Sequence, residues 1–164
     1  MGGGISIFDP KTNTIQNLTT NEGLSNNNVL DILVDENNFV WISTYGGGLN
    51  IYNPAKELIT IYTTEEGLPD MTILSLIESN KRIYLGTGLG LCIFDKIVNS
   101  TNDETYHITS YNKNQGFNTL DFNSKSSLSD YNNHLWWGVG DNLVIMSEPK
   151  KNKSIPKIKS PILN

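Results

Sequence analysis

The sequence has few of the features that mark disulfide-bonded, membrane-spanning or nucleic-acid-binding proteins. Its 164 residues include a single cysteine, Cys92, so no disulfide can form within the chain. No apolar run approaches the roughly 20 residues of a membrane span, and the first residues lack the basic and apolar regions of a signal peptide. The formal net charge of −5 disfavours contact with a phosphate backbone. We therefore expect no direct membrane contact and no nucleic-acid partner.

The last residues differ from the rest in charge. Residues 148–164 hold one Glu and five Lys, whereas the preceding part of the chain is acidic. Pro149, Pro156 and Pro161 interrupt this basic tail, which is typical of a linker. We interpret 148–164 as a Pro/Lys-rich exit linker or an additional strand, with residues 155–162 as the part that could form the strand.

The sequence does contain an internal repeat. The segment GGGISIFDPKTNTIQNLTTNEGL, residues 2–24, returns as GGGLNIYNPAKELITIYTTEEGL, residues 46–68, forty-four positions later. A third copy begins at Gly86 with GTGLGLCIFD, and a fourth begins at Gly138 with GVGDNLVIMSEP. A period of this length is typical of one four-stranded unit of a β-propeller.

Each copy divides into short strands separated by turn residues. The clearest copy has a polar turn at 35–38 and a glycine-rich turn at 46–48, and no segment shows helical periodicity. The predicted fold is all-β, a partial β-propeller of four-stranded antiparallel blades, with about three blades plus a part blade in residues 1–147. The repeats lie at about 1–22, 23–66, 67–115 and 116–147. The predicted strands are 5–8, 15–18, 29–35, 39–44, 49–52, 58–62, 73–78, 82–86, 91–95, 106–111, 121–129, 134–138 and 142–146.

Such an arc leaves apolar blade faces uncovered at its two ends. Propellers usually close a ring of four to eight blades. We expect a homodimer, or pairing with further blades, to cover these faces and complete the ring.

The sequence shows no pattern of a catalytic or metal site. His107 and His134 fall on strands of different repeats, and neither belongs to an HxH or HExxH spacing. The glycine-rich stretch 86–90 precedes a strand, which favours a hairpin turn over a phosphate site. The carboxylates do not form the local pair that glycosidases use. We predict no catalytic residue, no metal ligand and no cofactor.

Three aromatic residues recur at one position of the repeat. Trp41, Tyr84 and Trp136 align when the copies are superposed. Exposed aromatic rings can stack on sugars, but a residue present in every blade is more simply explained by packing between neighbouring sheets. We predict that these three residues pack between blades, that Trp137 faces the opposite side of its strand, and that Cys92 is a buried, inert thiol.

Loops at one edge of the blades form the candidate ligand-binding site. In a propeller, the link between two blades lies at the same edge as the turn between the second and third strands of a blade. Amide, carboxylate and phenol groups at this edge suit a hydroxyl-rich ligand. The alternative is that the asparagines only satisfy the backbone of their own turns. The residues collected there are Asn26, Asn27, Tyr45, Asp70, Met71 and Asp141.

The string GLSNNNVLDILVDENNFVWISTYGGGLNIYNP, residues 23–54, resembles the two-component regulator propeller repeat found in sensor regions of bacterial hybrid two-component systems. Gly-Leu-Ser-Asn-Asn, Trp-Ile-Ser-Thr, Gly-Gly-Leu and Tyr-Asn-Pro follow one another in the order of that repeat. The copy from Gly67 departs from it, because Tyr84 stands where the repeat has Trp. Residues 116–149 resemble the last blade of such sensors, which precedes an immunoglobulin-like connector domain.

The resemblance implies a sensor module that lies in the periplasm or otherwise outside the cytoplasmic membrane and commonly binds a carbohydrate. It also implies that the chain has no catalytic activity of its own, and that the intact protein carries a histidine kinase outside this chain. A small oligosaccharide is the ligand that we expect. Two other functions stay open: a propeller lyase or hydrolase, and a protein-interaction scaffold.

Overall fold

The computed structural model describes residues 2–98, 104–113, 121–147 and 158–159, which form β-strands joined by turns and loops. These residues include no helix with the length and apolar character that crossing a membrane requires. The strands are β1 Ile5–Asp9, β2 Thr14–Leu18, β3 Val29–Val34, β4 Val40–Thr44, β5 Leu49–Asn53, β6 Leu58–Tyr62, β7 Ile73–Ser79, β8 Arg82–Thr87, β9 Gly90–Val98, β10 Glu104–Tyr111, β11 Phe122–Ser129, β12 His134–Val139, β13 Asn142–Ser147 and β14 Ile158–Lys159.

The strands form four antiparallel sheets in which sequence neighbours pair. The first sheet has two strands, β1 and β2, and the other three have four strands each: β3 to β6, β7 to β10, and β11 to β14. Strand β7 contacts both β3 and β11, so the first strand of each sheet lies on the inner side of the arc. The prediction of an all-β partial propeller with four-stranded blades is therefore confirmed.

Apolar side chains between successive sheets form the core. One cluster joins the first and second sheets, a second joins the second and third, and a third joins the third and fourth. Trp41 is fully buried in the second cluster, where its ring lies edge-on to Phe94 and Tyr106 at centroid distances of 5.4 and 5.1 Å. Tyr84 is buried at the corresponding place one sheet later, 6.2 Å from the ring of Trp137.

Trp136 differs from Trp41 and Tyr84 in its surroundings. It is half-buried, while its neighbours Leu135 and Trp137 on the other face of β12 are buried against the third sheet. The expected packing between two blades is thus not found for Trp136, because no described sheet covers the outer face of the fourth sheet. Trp137, by contrast, is 1% exposed.

The recurring Glu-Gly-Leu sequence has a local structural reason. Glu22 accepts hydrogen bonds from the backbone N–H and the hydroxyl of Thr19, at 2.9 and 2.6 Å, and these bonds lower the pKa of its carboxyl group. Gly23 adopts a φ of 104°, and Leu24 returns to the core. The next repeat has the same arrangement at Thr63, Glu66, Gly67 and Leu68. The loops that follow β2 and β6 are therefore closed by their own residues.

The tail contributes a short strand. Residues 158–159 pair with β13, so part of the segment 155–162 adds a strand to the fourth sheet. The rest of that segment lies outside the described residues.

Candidate functional site

The candidate site lies at one edge of the sheets, which we call the loop edge. The loop edge comprises the links before β3 and β7 and the turns between the second and third strands of the blades, residues 25–28, 45–48, 69–72, 88–89 and 140–141. It therefore contains all six residues that the sequence analysis collected. The opposite edge, here the turn edge, carries the tight turns after β3, β7 and β11, residues 35–38, 80–81 and 130–133.

Hydrogen bonds cross from sheet to sheet along the loop edge. The backbone N–H of Gly48 donates to the carbonyl of Met71 at 2.7 Å, and that of Gly46 donates to the Thr72 hydroxyl at 3.2 Å. One sheet earlier, the N–H of Gly4 donates to the carbonyl of Asn27 at 3.0 Å. The turns of the first and second sheets are thus each bonded to the link that enters the next sheet, and these loops form a continuous surface.

Glycine is required for this close approach. Gly48 has a φ of 76°, and a Cβ atom there would lie 2.3 Å from the carbonyl oxygen of Tyr62. A Cβ atom on Gly47 would lie 2.7 Å from the hydroxyl oxygen atoms of both Ser25 and Thr44. The Gly-Gly-Gly sequence of the repeat therefore allows backbone to meet backbone at the loop edge.

The two asparagines of the predicted site are occupied by local hydrogen bonds. The side chain of Asn26 accepts a bond from the N–H of Asn28 at 2.8 Å and donates to the carbonyl of Tyr45 at 2.9 Å. The side chain of Asn27 accepts a bond from the N–H of Thr20 at 2.8 Å and donates to its hydroxyl at 3.3 Å. Both amides order the loops, which corresponds to the alternative interpretation of these residues.

Tyr45, Asp70 and Met71 lie together where the second and third sheets meet. Tyr45 is 59% exposed, whereas Asp70 and Met71 are half-buried. One oxygen of Asp70 accepts the N–H of Thr72 at 3.1 Å, and a Cβ atom on Gly88 would lie 2.9 Å from the other oxygen. These contacts place an exposed phenol ring, a carboxylate and a thioether on adjoining loops.

Asp141 lies on the corresponding turn of the fourth sheet and is exposed. That turn is held within its own sheet, since the N–H of Gly140 donates to the carbonyl of Asp121 at 2.8 Å and Asn123 donates to the carbonyl of Gly140 at 3.0 Å. Asp141 therefore belongs to the same edge, one sheet beyond the Tyr45, Asp70 and Met71 group.

Two residues of this surface are absent from the sequence-based set. Leu89 is 54% exposed at the tip of the β8–β9 turn, next to Gly88, and Thr72 accepts the cross-sheet bond from Gly46. Superposing the copies could have found Leu89, because its turn is the equivalent of the turn that holds Tyr45. Thr72 directly follows Met71, but only the folded chain shows its contact with the preceding sheet.

Carboxylates on the turn edge close their own turns. Asp35 accepts the N–H groups of Asn37 and Phe39 and the indole N–H of Trp41, the last at 2.9 Å. Asp130 is similarly bound by Asn132, His134 and Trp136. Burial alone would raise the pKa of Asp130, but the hydrogen bonds from Trp136, His134 and Asn132 outweigh it and lower the pKa to about 2.

The other titratable residues that the sequence analysis considered stand apart from the loop edge. His134 Nδ1 lies 3.1 Å from Asp130 in the turn edge, and His107 is an exposed residue of β10. Cys92 is fully buried, and burial raises the pKa of its thiol to about 11. Within the described ranges, no three His, Cys, Asp or Glu side chains are grouped as metal ligands.

Comparisons with known proteins agree with the architecture. Residues 23–46 match the family model described as two component regulator propeller. The extracellular domain of the hybrid two-component system BT3049 from B. thetaiotaomicron is similar in structure, with a TM-score of 0.69 and 22% identity over 87% of this chain. That of BT4673 from the same organism has a TM-score of 0.70 and 17% identity over 99% of this chain.

This chain spans 19% of the first of those structures and 21% of the second, about a fifth of either domain. No curated protein matched the sequence. The matched residues, 23–46, contain Trp41 and the beginning of the glycine turn of the loop edge. The resemblance inferred from the repeat is confirmed: the chain carries a two-component regulator propeller repeat within a fold like that of the extracellular domains of hybrid two-component systems.

Proposed function

We propose that this chain is part of a ligand-binding sensor module of a two-component signalling protein, located outside the cytoplasm. The proposal is supported by the propeller repeat at residues 23–46 and by similar structures that are themselves extracellular domains of hybrid two-component systems. Signal transmission to a histidine kinase belongs to the intact protein in this proposal. The chain itself binds a ligand and does not convert it.

We further propose that the ligand is a small oligosaccharide, bound at the loop edge where the second and third sheets meet. The observation that carries this proposal is the exposed ring of Tyr45 on a turn that is bonded to the link containing Asp70, Met71 and Thr72. An aromatic face beside a carboxylate suits a sugar, which offers an apolar ring face and many hydroxyl donors. Asp70 keeps acceptor capacity, because the described contact with the Thr72 N–H uses one of its oxygens.

This location predicts that the isolated chain forms only part of the ligand contact surface. The Tyr45, Asp70 and Met71 group is an open surface on two sheets, and small-molecule sites usually enclose most of their ligand. Further blades or a neighbouring domain supply the remaining contacts. Binding should therefore be measured on the intact extracytoplasmic region that contains this chain.

Calorimetry against a panel of oligosaccharides tests the proposal. We expect the wild-type region to bind one class of saccharide, and the double variant Tyr45→Ala with Asp70→Ala to lose most of that affinity. The matched control is Tyr131→Ala, which removes a 95% exposed tyrosine from the turn edge and should leave binding unchanged. Equal binding by the wild type and the double variant would place the site elsewhere.

Analysis of the saccharide after incubation separates sensing from the enzymatic alternative. A sensor returns the oligosaccharide unchanged, whereas a propeller lyase or hydrolase shortens it. If no saccharide binds and a protein partner is found at the loop edge, the scaffold alternative replaces this proposal.

A further inference from the structure

Asparagine side chains hold the turns of two sheets at the loop edge. In the second sheet, Nδ2 of Asn26 donates to the carbonyl of Tyr45, the first residue of the β4–β5 turn, at 2.9 Å. In the fourth sheet, Nδ2 of Asn123 donates to the carbonyl of Gly140, the first residue of the β12–β13 turn, at 3.0 Å. Each bond joins the beginning of a sheet, its link or its first strand, to the turn of that same sheet.

The third sheet has a carboxylate where the second sheet has this amide. Asp70 follows Asn26 at the repeat offset of 44 residues. Both side chains accept the N–H of the residue two positions later, Asn26 from Asn28 at 2.8 Å and Asp70 from Thr72 at 3.1 Å. The two side chains are therefore held by their own loops in the same way. A carboxylate only accepts hydrogen bonds, so Asp70 cannot donate to a turn carbonyl as Asn26 does.

The second oxygen of Asp70 lies beside a turn that is closed by other groups. Gly88 is the first residue of the β8–β9 turn, and a Cβ atom there would lie 2.9 Å from Oδ2 of Asp70. The Thr87 hydroxyl accepts the N–H of Leu89 at 3.2 Å and donates to the carbonyl of Gly90 at 2.8 Å. The turn of the third sheet thus has its own closure, and Oδ2 of Asp70 keeps its capacity to accept a hydrogen bond.

Thr72 connects this carboxylate to the exposed ring of Tyr45. Its backbone N–H donates to Oδ1 of Asp70, and its hydroxyl accepts the N–H of Gly46 at 3.2 Å. Gly46 directly follows Tyr45, which is 59% exposed. One residue therefore positions both the acceptor and the turn that carries the aromatic ring.

The charged side chains of the loop edge are all negative. Within residues 25–28, 45–48, 69–72, 88–89 and 140–141, they are Asp70 and Asp141. Lys113 follows β10 and Lys125 lies in the irregular part of β11, so both stand outside these loops. An anionic group brought to Asp70 meets a like charge, whereas a hydroxyl or ammonium group supplies the donor that its oxygen can accept.

We propose that Asp70 determines the charge selectivity of the site, accepting a hydroxyl or ammonium group of the saccharide and rejecting a carboxylate or sulfate group. This inference rests on the proposed function, since it concerns the saccharide bound by the Tyr45, Asp70 and Met71 group. The second and fourth sheets use an amide donor to hold their own turns. The third sheet has an acceptor in that role, and its partner is a donor from outside the chain. Bonds to an ionised acceptor are about twice as strong as those between neutral groups.

Asp70→Asn is the variant that tests this role, because Asn26 shows that the loop accommodates an amide. Its Oδ1 still accepts the N–H of Thr72, so the loop keeps its conformation while the charge and the acceptor at Oδ2 are lost. Asp141→Asn is the matched control, since it removes the same charge from the same edge one sheet away.

The reciprocal variant, Asn26→Asp, tests the structural comparison without any saccharide. It places a carboxylate oxygen against the carbonyl of Tyr45 in place of a donor, and amide hydrogen exchange at residues 45–48 should become faster. Unchanged exchange there would show that the amide does not hold the turn, and it would overturn the inference.

Calorimetry on the intact extracytoplasmic region then compares four classes of probe: neutral oligosaccharides, amino-sugar oligosaccharides, oligouronates and sulfated oligosaccharides. We expect the wild type to bind a neutral or an amino-sugar probe. Asp70→Asn should weaken that binding by about tenfold or more, and Asp141→Asn should change it by no more than about twofold. Added salt should weaken the binding of an amino-sugar probe and have little effect on a neutral one, which distinguishes an ammonium from a hydroxyl donor.

Two results would overturn the inference and leave saccharide binding at the loop edge in place. These are tightest binding of an oligouronate or a sulfated probe, and equal affinity of the wild type and Asp70→Asn for the same probe. Failure of every class to bind the wild type would overturn the proposed function, and this inference with it.

Discussion

The loop edge and the turn edge hold their backbones in different ways. On the turn edge, Asp35 and Asp130 each bind the N–H groups of their own turn and an indole from the following strand. On the loop edge, the glycine turn of one sheet is bonded to the link that enters the next, as Gly48 is to Met71. On the turn edge, an exposed ion pair between Lys81 and Glu36, at 3.5 Å, joins the turns of the second and third sheets, whereas on the loop edge backbone hydrogen bonds join the turn of one sheet to the link of the next.

This difference suggests where a ligand can act. In the turns of the second and fourth sheets, the aspartate is engaged by the N–H groups of its own turn and by the indole of Trp41 or Trp136. A ligand bound at the proposed site would touch the second and third sheets at once, because the turn with Tyr45 is bonded to the link that enters the third sheet. Exposed side chains such as Tyr45 and Leu89 stand on that edge at equivalent turns.

The largest loss of stability is expected for replacement of Trp41, whose indole donates a hydrogen bond to Asp35 on the turn edge. Trp41→Ala should lower the free energy of unfolding by about 3 to 5 kcal/mol, because a fully buried indole leaves a cavity between the second and third sheets. Trp136→Ala is the matched control, since Trp136 has the same bond to its own aspartate but is half-buried. Its loss should be about 1 kcal/mol.

Urea unfolding measures the loss of unfolding free energy in the two variants. Equal losses for Trp41→Ala and Trp136→Ala would show that the bond to the aspartate, and not the packing between sheets, determines the contribution of the indole.

A smaller loss is expected on the loop edge, where two glycines of one turn can be compared. Both have positive φ, 71° at Gly46 and 76° at Gly48, so alanine costs on the order of 1 to 3 kcal/mol at either position. Gly48→Ala should cost more, since its Cβ atom would meet the Tyr62 carbonyl oxygen at 2.3 Å, while that of Gly46 meets nothing within 4 Å. Thermal unfolding compares them, and a Gly46→Ala variant that is the less stable of the two would contradict the geometry.

Strand boundaries were easier to predict from the sequence than contacts between sheets. The turn residues at 35–38 and 46–48 placed the strands of the second sheet within one residue, whereas β9 of the third sheet ends at Val98, three residues beyond the predicted end. The equivalence of Trp41, Tyr84 and Trp136 was visible in the alignment of the copies. The difference in burial was not, because it depends on which sheet lies next to each ring.

The contacts between sheets could not be predicted from the sequence. Asp31 in the second sheet accepts a hydrogen bond from the backbone N–H of Leu76 in the third sheet, at 2.9 Å. The residue of the third sheet that is equivalent to Asp31 is Ser75, so the aspartate does not recur and the repeat pattern does not predict this bond. The local occupation of Asn26 and Asn27 was likewise left open, since an amide looks the same in a sequence whether it bonds to its own loop or faces a ligand.

The contribution of Asp130 to stability should depend on pH. The folded pKa of Asp130, about 2, lies below the ordinary value near 3.9, so its ionised form stabilises the fold above about pH 4. That contribution is lost as the pH falls towards 2. The stability difference between the wild type and Asp130→Asn should therefore shrink between pH 5 and 2, as followed by urea midpoints; a constant difference would contradict the assigned role.

The smallest effects on stability are expected for the two exposed tyrosines. Tyr45→Ala on the loop edge and Tyr131→Ala on the turn edge should each change the free energy of unfolding by no more than about 0.5 kcal/mol, because both rings are mostly in solvent. Chemical denaturation checks this. A large loss for Tyr45→Ala would mean that its ring is part of the packing, and it would then be unsuitable as a probe of binding.

Mapping of a bound saccharide by amide hydrogen exchange on the intact extracytoplasmic region tests the proposed site most directly. The proposal predicts slower exchange at residues 45–48 and 70–72 on the loop edge, no change at residues 35–38 and 130–133 on the turn edge, and loss of the effect in the Tyr45→Ala, Asp70→Ala variant. Protection confined to the turn edge, or a saccharide that binds without protecting residues 45–48 and 70–72, would contradict it.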